Sequence, residues 1–289
     1  MESKEKKTAS IESWDLIVKP SSHLLALQFK DIWRYRDLLL MFVKRDIITV
    51  YKQTILGPIW FVVQPILTAL IYVIVFGSIA KLSSDGLPKI LFYLSGIIIW
   101  SYFADSLNST SNTFKDNEAL FGKVYFPRLL SPLSKIISGL LKFIIQFLFM
   151  VVVMIYYWVS GYPIPFHLTI LVLPLLVLIM AVLGLGTGII FTSLTSKYRD
   201  LSFLLAFGVQ LLMYATPVIY PLSSVPEKYR YLIEANPIST IVETFRSVLL
   251  GSGQLNWGHL GYSSLFAIII LFLGILIFNK TEKTFMDTV

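Results

Sequence analysis

The sequence predicts an all-α membrane protein: six transmembrane helices, an amphipathic segment ahead of them, and a re-entrant helical pair on the outer side. Three observations carry that prediction. Of the 289 residues 56% are apolar and only 14% charged, with mean hydropathy +0.74, too apolar for a soluble globular chain and long enough for several spans. The apolar residues gather into runs near the roughly 20 residues that cross a bilayer core. Lys and Arg are divided unevenly among the loops between those runs.

Residues 1–21 are polar for too long to be a cleavable signal peptide and read as a mobile cytoplasmic tail. Residues 22–56 mix apolar positions at helical spacing (Leu40, Val43, Ile47, Val50) with six cations, and the longest purely apolar run, Leu38 to Val43, is too short to span. An amphipathic helix on the cytoplasmic surface, or two broken near Arg36-Asp37, fits this pattern; so does a helical hairpin packed on another protein. The helix should stop near Leu56, because Gly57 takes backbone angles closed to other residues and Pro58 suits the first turn of a new helix. From this corner the six-span domain, residues 57–289, begins.

The spans are expected near Pro58–Ala80, Lys89–Leu107, Ile136–Val159, Leu168–Leu194, Leu201–Tyr220 and Leu260–Asn279. Of 24 Lys and Arg, 18 lie in the N-terminal segment, the loop 113–135, the loop Ser196–Asp200 and the tail after Asn279. Five lie on the opposite side, and Lys142 lies within a span, near enough to its end to snorkel. The positive-inside rule therefore puts the first group, and both termini, in the cytoplasm. In the loop 113–135, Asn117 can cap a short helix, and Lys123 and Arg128 flank Tyr125 and Phe126, expected to be exposed. That pattern suits a docking surface or an ordinary positive-inside loop with its rings among lipid headgroups. The outer segment 221–251 holds two helix starts, at Pro226 and at Pro237 after Asn236, and ends its second helix at Gly251.

The chemistry excludes much. There is no Cys, hence no disulfide, thiolate metal site or Cys nucleophile. His23, His167 and His259 have neither metal nor triad spacing, and the only Gly-Lys, Gly122-Lys123, is followed by Val124, so no phosphate-binding P-loop occurs. Span centres carry amides, hydroxyls and rings instead: Trp60, Gln64, Thr68, Tyr72 and Phe76 at four-residue intervals, with Gln210 and Tyr214 in the fifth span. Such a set suits a sugar chain, whose C–H faces stack on rings while its hydroxyls form hydrogen bonds, and equally suits plain helix packing. Gln64-Pro65 either bonds a neighbouring helix and kinks the first span or shapes a channel mouth. Gly184 and Gly188 form a G-x-x-x-G that should bring the fourth span close to a neighbour.

Four blocks, YKQTILGPIWFVVQP from Tyr51, KVYFPR from Lys123, KYRD from Lys197, and TPVIYPLSSVP from Thr216 continuing through Asn236-Pro237 to Phe245-Arg246, together resemble the membrane subunit of type-2 ABC exporters for bacterial surface polysaccharides. That resemblance implies a homodimer in the bacterial cytoplasmic membrane, bound to two copies of a separate ATPase that carries the ATP and Mg. This chain would then hold no catalytic or metal residue. Its substrate would be a lipid-linked glycan of O-antigen, capsule or teichoic-acid type, with no role for nucleic acid. It further implies a coupling helix docked in the ATPase (Asn117, Leu120, Lys123, Tyr125, Phe126, Arg128), with Tyr198, Arg199 and Asp200 in the next cytoplasmic loop. The amphipathic segment becomes an interface helix framing an entrance gate at Arg45, Tyr51, Lys52, Leu56, Gly57 and Pro58. The channel wall would take Trp60, Gln64, Thr68, Tyr72, Phe76, Trp100, Gln210 and Tyr214. The alternatives are an exporter of a drug or free lipid, a membrane enzyme, for which no acid/base constellation is visible, and a membrane scaffold.

Overall fold

The computed structural model describes residues 29–52, 57–121, 123–124, 126–164, 168–198, 200–252 and 255–286, and among these every regular element is helical. Residues 1–28, Leu56, Tyr125 and Arg199 lie outside the described residues, as does the side chain of Tyr51.

A short helix α1 (Phe29–Arg34) turns at Tyr35 into α2 (Arg36–Tyr51), so the amphipathic segment is broken one residue before the expected place. The α2 helix ends at Tyr51, earlier than expected. Gly57 then sits at φ +51, a left-handed conformation no continuing helix contains, and the chain restarts there as α3 (Gly57–Ile79). The α2 helix lies along the first turns of α7 (Leu130–Val159), burying Phe42 and Val43 and leaving Leu40 and Met41 exposed. Of the expected apolar face, Val43 is buried and Ile47 half-buried but Leu40 is exposed, and the covered stripe runs through Leu38, Leu39, Phe42, Val43 and Ile47.

The centre of the bundle is α4 (Lys89–Ser111). Of its most apolar 18-residue stretch 78% is buried, against 11% for α3, 22% for α7, 33% for α8 (Leu168–Thr195) and 22% for α12 (Trp257–Met286). Small residues make that possible. A Cβ on Gly184 would lie 2.6 Å from Ser106 Cβ and one on Gly188 2.5 Å from Thr110 Cβ, so the G-x-x-x-G of α8 meets α4 as expected. The other face of α8 meets α12 just as closely, since a Cβ on Gly186 would stand 2.8 Å from the Leu271 nitrogen and one on Gly274 2.7 Å from the Gly186 oxygen.

Pro65 lies inside α3 and is buried. It has no N–H to give the carbonyl of Phe61 four residues earlier, and that carbonyl instead accepts a hydrogen bond from Gln146 Nε2 of α7 at 3.1 Å. The amide that accommodates the proline is therefore Gln146, whereas the Gln64 side chain is exposed and forms no hydrogen bond among the described residues. The last seven residues of α3, Val73–Ile79, widen into a π-helix, and Lys89 at the start of α4 donates to the carbonyl of Gly77 within it.

Among the described residues five helices are long and apolar enough to cross a membrane: α3, α4, α7, α8 and α12. The expected fifth span is shorter than predicted. Its helix α9 (Leu201–Tyr214) has 14 residues, about 21 Å, and Ala215 to Tyr220 leave the helix as a turn. That turn is held by α11 (Pro237–Leu250), the second of two helices that begin where the prolines placed them, after α10 (Glu227–Glu234). Asn236 caps α11 through Ile238 N–H at 3.1 Å and donates to Thr216 Oγ1 at 2.9 Å, while Gly251 at φ +70 ends the helix. The apolar side chains of α11, Ile238, Ile241, Val242, Phe245, Val248 and Leu249, are buried.

Arg246 of α11 is only 1% exposed. It donates to Glu243 Oε1 at 3.1 Å and to the carbonyls of Pro217 at 3.1 Å and Val218 at 3.4 Å, with its guanidinium 3.8 Å from the Phe92 ring centroid of α4. Burial pushes the Glu243 carboxyl pKa up, opposed by Arg246 and by the Leu222 N–H that it accepts at 3.2 Å.

A Gly186→Val substitution should lower thermal stability of the detergent-purified chain by about 1–3 kcal/mol or prevent its folding, because backbone on α12 must move. Gly208→Ala, where a Cβ meets nothing within 4 Å, should leave the melting temperature unchanged. Equal melting curves for the two variants would contradict the packing described.

Candidate functional site: the cation-rich end

The expected coupling loop folds as two single turns, α5 (Thr113–Asp116) and α6 (Glu118–Phe121), hinged at Asn117. Asn117 is 4% exposed, and its backbone carbonyl accepts the first hydrogen bonds of α6 from Leu120 and Phe121. Its side chain does not cap. Nδ2 donates back to Thr113 O at 2.9 Å, and Oδ1 accepts from Arg45 Nη1 of α2 at 3.3 Å. A predicted gate residue and a predicted coupling residue are thereby joined.

Beneath the loop lies a cluster of rings. Phe42 of α2 meets Phe126 edge-on at 5.4 Å, Phe126 meets Phe121 at 5.7 Å, Phe121 meets Phe114 at 5.8 Å, and Phe114 stacks on Phe278 of α12 at 4.9 Å. Leu130 and Ile189 are buried in the same cluster, and Leu120 packs against it half-buried. This corrects the expected exposure of Phe126, which is 5% exposed; Arg128 beside it is 6% exposed. Arg128 lies 3.6 Å from Glu282 Oε1 and 5.2 Å from the Phe121 ring centroid. Burial lowers its guanidinium pKa and Glu282 opposes that shift. The groups left at the surface are Lys115, Asp116, Glu118, Ala119, Lys123 and Val124, with Lys197, Tyr198 and Asp200 of the following loop. The two loops abut, since Thr195 Oγ1 donates to Ser111 O at 2.9 Å and Thr192 Oγ1 accepts from Phe114 N at 3.2 Å.

Beside this platform a cavity of about 680 Å³ opens between α2, the start of α3, the end of α4, the coupling loop and α7. Its polar wall includes Arg45, Asp46, Asp105, Asp116, Lys135 and Lys142. Arg45 and Lys135 both reach Asp46 Oδ1, at 2.9 and 3.2 Å, and Ser134 Oγ donates to Asp46 Oδ2 at 3.3 Å. Lys142, expected to snorkel freely, is instead bound to Asp105 Oδ2 at 2.7 Å. Of the other predicted gate residues, Lys52 and Pro58 are exposed, and Gly57 is half-buried with open space where a Cβ would sit. Sequence reasoning passed over Asp46, Lys135 and Gln146. Only the seven-residue spacing of Lys135 and Lys142, which puts both on one helix face, could have signalled the cavity.

The predicted channel residues fall into three groups. Tyr72 and Phe76 pack together at 5.4 Å, and Tyr72 also meets Tyr93 of α4 at 6.0 Å and donates to Met213 Sδ of α9 at 3.7 Å. Trp60, Gln64, Gln210 and Tyr214 are exposed, with Thr68 half-buried and donating to Gln64 O at 2.9 Å. Trp100 is a correction: it is 5% exposed, tilted on Phe103 at 5.6 Å inside the core, because α4 is surrounded and has no free face at that depth.

With this geometry in hand, comparisons with known proteins give a consistent answer. The chain is 28% identical over 258 residues to an O-antigen export system permease protein RfbA of Klebsiella pneumoniae, covering 87% of this chain and 94% of that one. It is 25% identical over 264 residues to the O-antigen export system permease protein RfbA of Myxococcus xanthus, covering 90% and 98%. It is 26% identical over 247 residues to a polysialic acid transport protein KpsM of Escherichia coli, covering 84% and 93%. The family model described as ABC-2 type transporter matches residues 37–250, from the first turn of α2 to the last residue of α11. The chain therefore belongs to the ABC-2 type transporter family.

Proposed function

We propose that this chain is the transmembrane subunit of an ATP-driven exporter that moves a lipid-linked polysaccharide out across the bacterial cytoplasmic membrane. The observation that carries the reading is similarity over 84–90% of the chain to permeases for O-antigen and polysialic acid. A separate ATPase subunit supplies ATP and Mg. It docks on the exposed rim of the coupling loop, Lys115, Glu118, Lys123 and Val124, beside Tyr198 and Asp200. The buried members Asn117, Phe126 and Arg128 transmit its movement to α2, α7 and α12.

In this reading α9 with its following turn completes a sixth crossing, α10 and α11 form a re-entrant pair at the outer face, and the cation-rich end lies in the cytoplasm with both termini, as 18 of 24 Lys and Arg favour. The functional unit is a homodimer. The support is physical: Gln64 and Gln210 stand exposed on apolar helices with no hydrogen bond among the described residues. In hydrocarbon such amides are unsatisfied, so a polar channel or a second copy must cover them. The same faces carry the exposed rings of Trp60, Phe207 and Tyr214, suited to a passing glycan, among the aliphatic Leu67, Ile71 and Leu211.

Removal of this chain from its host should abolish surface display of one glycan and accumulate its lipid-linked form in the cytoplasmic leaflet, read by extraction and labelling; normal display would contradict the reading. Reversing the rim charges with Glu118→Lys and Lys123→Glu should weaken co-purification with the ATPase by about tenfold while the chain still inserts. Phe126→Ala should act differently, destabilising the chain by about 3–5 kcal/mol through a cavity in the ring cluster. Should the charge reversal leave the ATPase bound as before, the docking rim lies elsewhere.

A further inference from the structure

At the end of the bundle opposite the cation-rich one, two segments meet that are held in different ways. The first is the turn after α9. Arg246 and Glu243, at i and i−3 on α11, grip it at both ends: Arg246 donates to the carbonyls of Pro217 and Val218, and Glu243 accepts from the N–H of Leu222. Thr216, Val218 and Ile219 are buried with that grip. The second is the loop 80–88 between α3 and α4. Among the described residues its Lys81, at φ +53, and Asp85, at φ +50, are the non-glycine residues in the left-handed region, a conformation that L side chains resist. The bonds that keep the loop there are exposed. Ser83 Oγ accepts from Asp85 N at 3.1 Å, Tyr162 OH donates to the Gly86 carbonyl at 2.9 Å, and Ser223 Oγ of the turn donates to Asp85 Oδ1 at 2.6 Å.

We propose that the Asp85–Ser223 hydrogen bond is a latch that holds the outer end of α3 against the turn after α9, and that export requires it to open. The inference rests on the reading of the chain as an exporter and names a contact that must part on the side where the cargo leaves. The choice of contact follows from what water can replace. A buried guanidinium that loses its acceptors keeps an uncompensated charge, so the turn stays with α11. Asp85 and Ser223 are both exposed, and water takes up their polar groups when they separate. Separation also frees the loop to leave the left-handed region, so the strain at Lys81 and Asp85 works against the bond and leaves the latch near balance. Asp85 lies within electrostatic reach of both Glu243 and Arg246, but Glu243 has the direct contact with that arginine. The loop continues the part of α3 that is wound as a π-helix, with Leu82 N donating to the Phe76 carbonyl at 2.9 Å. A π-helix has more residues per turn than an α-helix, so return of this segment to α geometry turns Phe76 away from Tyr72, which itself bonds Met213 of α9. The latch and the ring contact open together.

The chain has no cysteine, so Asp85→Cys with Ser223→Cys supplies its only thiols. The test bridges them with a short, reducible bis-methanethiosulfonate in proteoliposomes that hold the full chain and its ATPase, and reads bridging within one chain by mass spectrometry of the joined peptides. The bridge should form in most chains at rest, and at least about fivefold less when the ATPase is trapped with ATP and vanadate. Bridged chains should translocate lipid-linked oligosaccharide at least about tenfold more slowly, and dithiothreitol should restore the rate, which a misfolded variant would not allow. Ser83→Cys with Ser223→Cys, which leaves Asp85 in place, is the second pair and should behave alike. A bridge that forms equally in both states, one that leaves translocation intact, or none at rest in either pair overturns the proposal. Failure of the wild-type chain to carry the lipid sinks the export reading instead, and the bridging yields still decide whether the latch opens.

Discussion

The contact on which the cation-rich end depends is the row of rings from Phe42 through Phe126, Phe121 and Phe114 to Phe278. Its members come from α2, the coupling loop and α12, with Leu130 of α7 and Ile189 of α8 packed between them. Interiors are close-packed and have discrete arrangements rather than continuous ones. A push on the outside of two single-turn helices therefore cannot be absorbed locally. It must move α2, which walls the cavity, and the helix ends beneath it. In the coupling proposed above, the buried Phe126 and Arg128 form the linkage and the exposed rim the handle.

The rest of the bundle shows how a chain with few charges satisfies what polarity it has. A single central helix, α4, is surrounded because glycines on α8 let it approach. Pro65 frees one carbonyl and Gln146 takes it up. Arg246 and Glu243, buried at the far end, tie α11 to the turn after α9 and to Phe92 of α4. Each device replaces water at a place where water is absent, and together they leave Gln64 and Gln210 as the amides on α3 and α9 without a partner among the described residues.

What the sequence made legible follows from the range of the interaction involved. Helix starts at Pro58, Pro226 and Pro237, the stop at Gly251 and the close approach at Gly184 and Gly188 are local rules of backbone and side-chain size, and the structure keeps them. The errors concern which side of a helix faces what. Trp100 sits on a helix apolar all round, whose phase carries no information about its neighbours. Phe126 lies in a cationic loop that reads as surface, and only the rings of Phe42 and Phe278, 84 and 152 residues away along the chain, turn it inward. Asp46 and Lys135 look like ordinary charges in a basic segment until folding sets them against each other across a cavity. The length of the fifth span failed for a related reason: Thr216 to Tyr220 continue the apolar run, but Arg246 and Asn236 capture their backbone and side chains in a turn.

The central claim is that this chain, driven by a separate ATPase, carries a lipid-linked glycan through a path that begins at the cation-rich end. The most direct measurement is translocation of a fluorescent lipid-linked oligosaccharide in proteoliposomes containing the chain and its ATPase. Label should cross to the opposite leaflet only when both proteins and hydrolysable ATP are present. Crossing without the ATPase, or none with the complete system and ATP, would contradict the account.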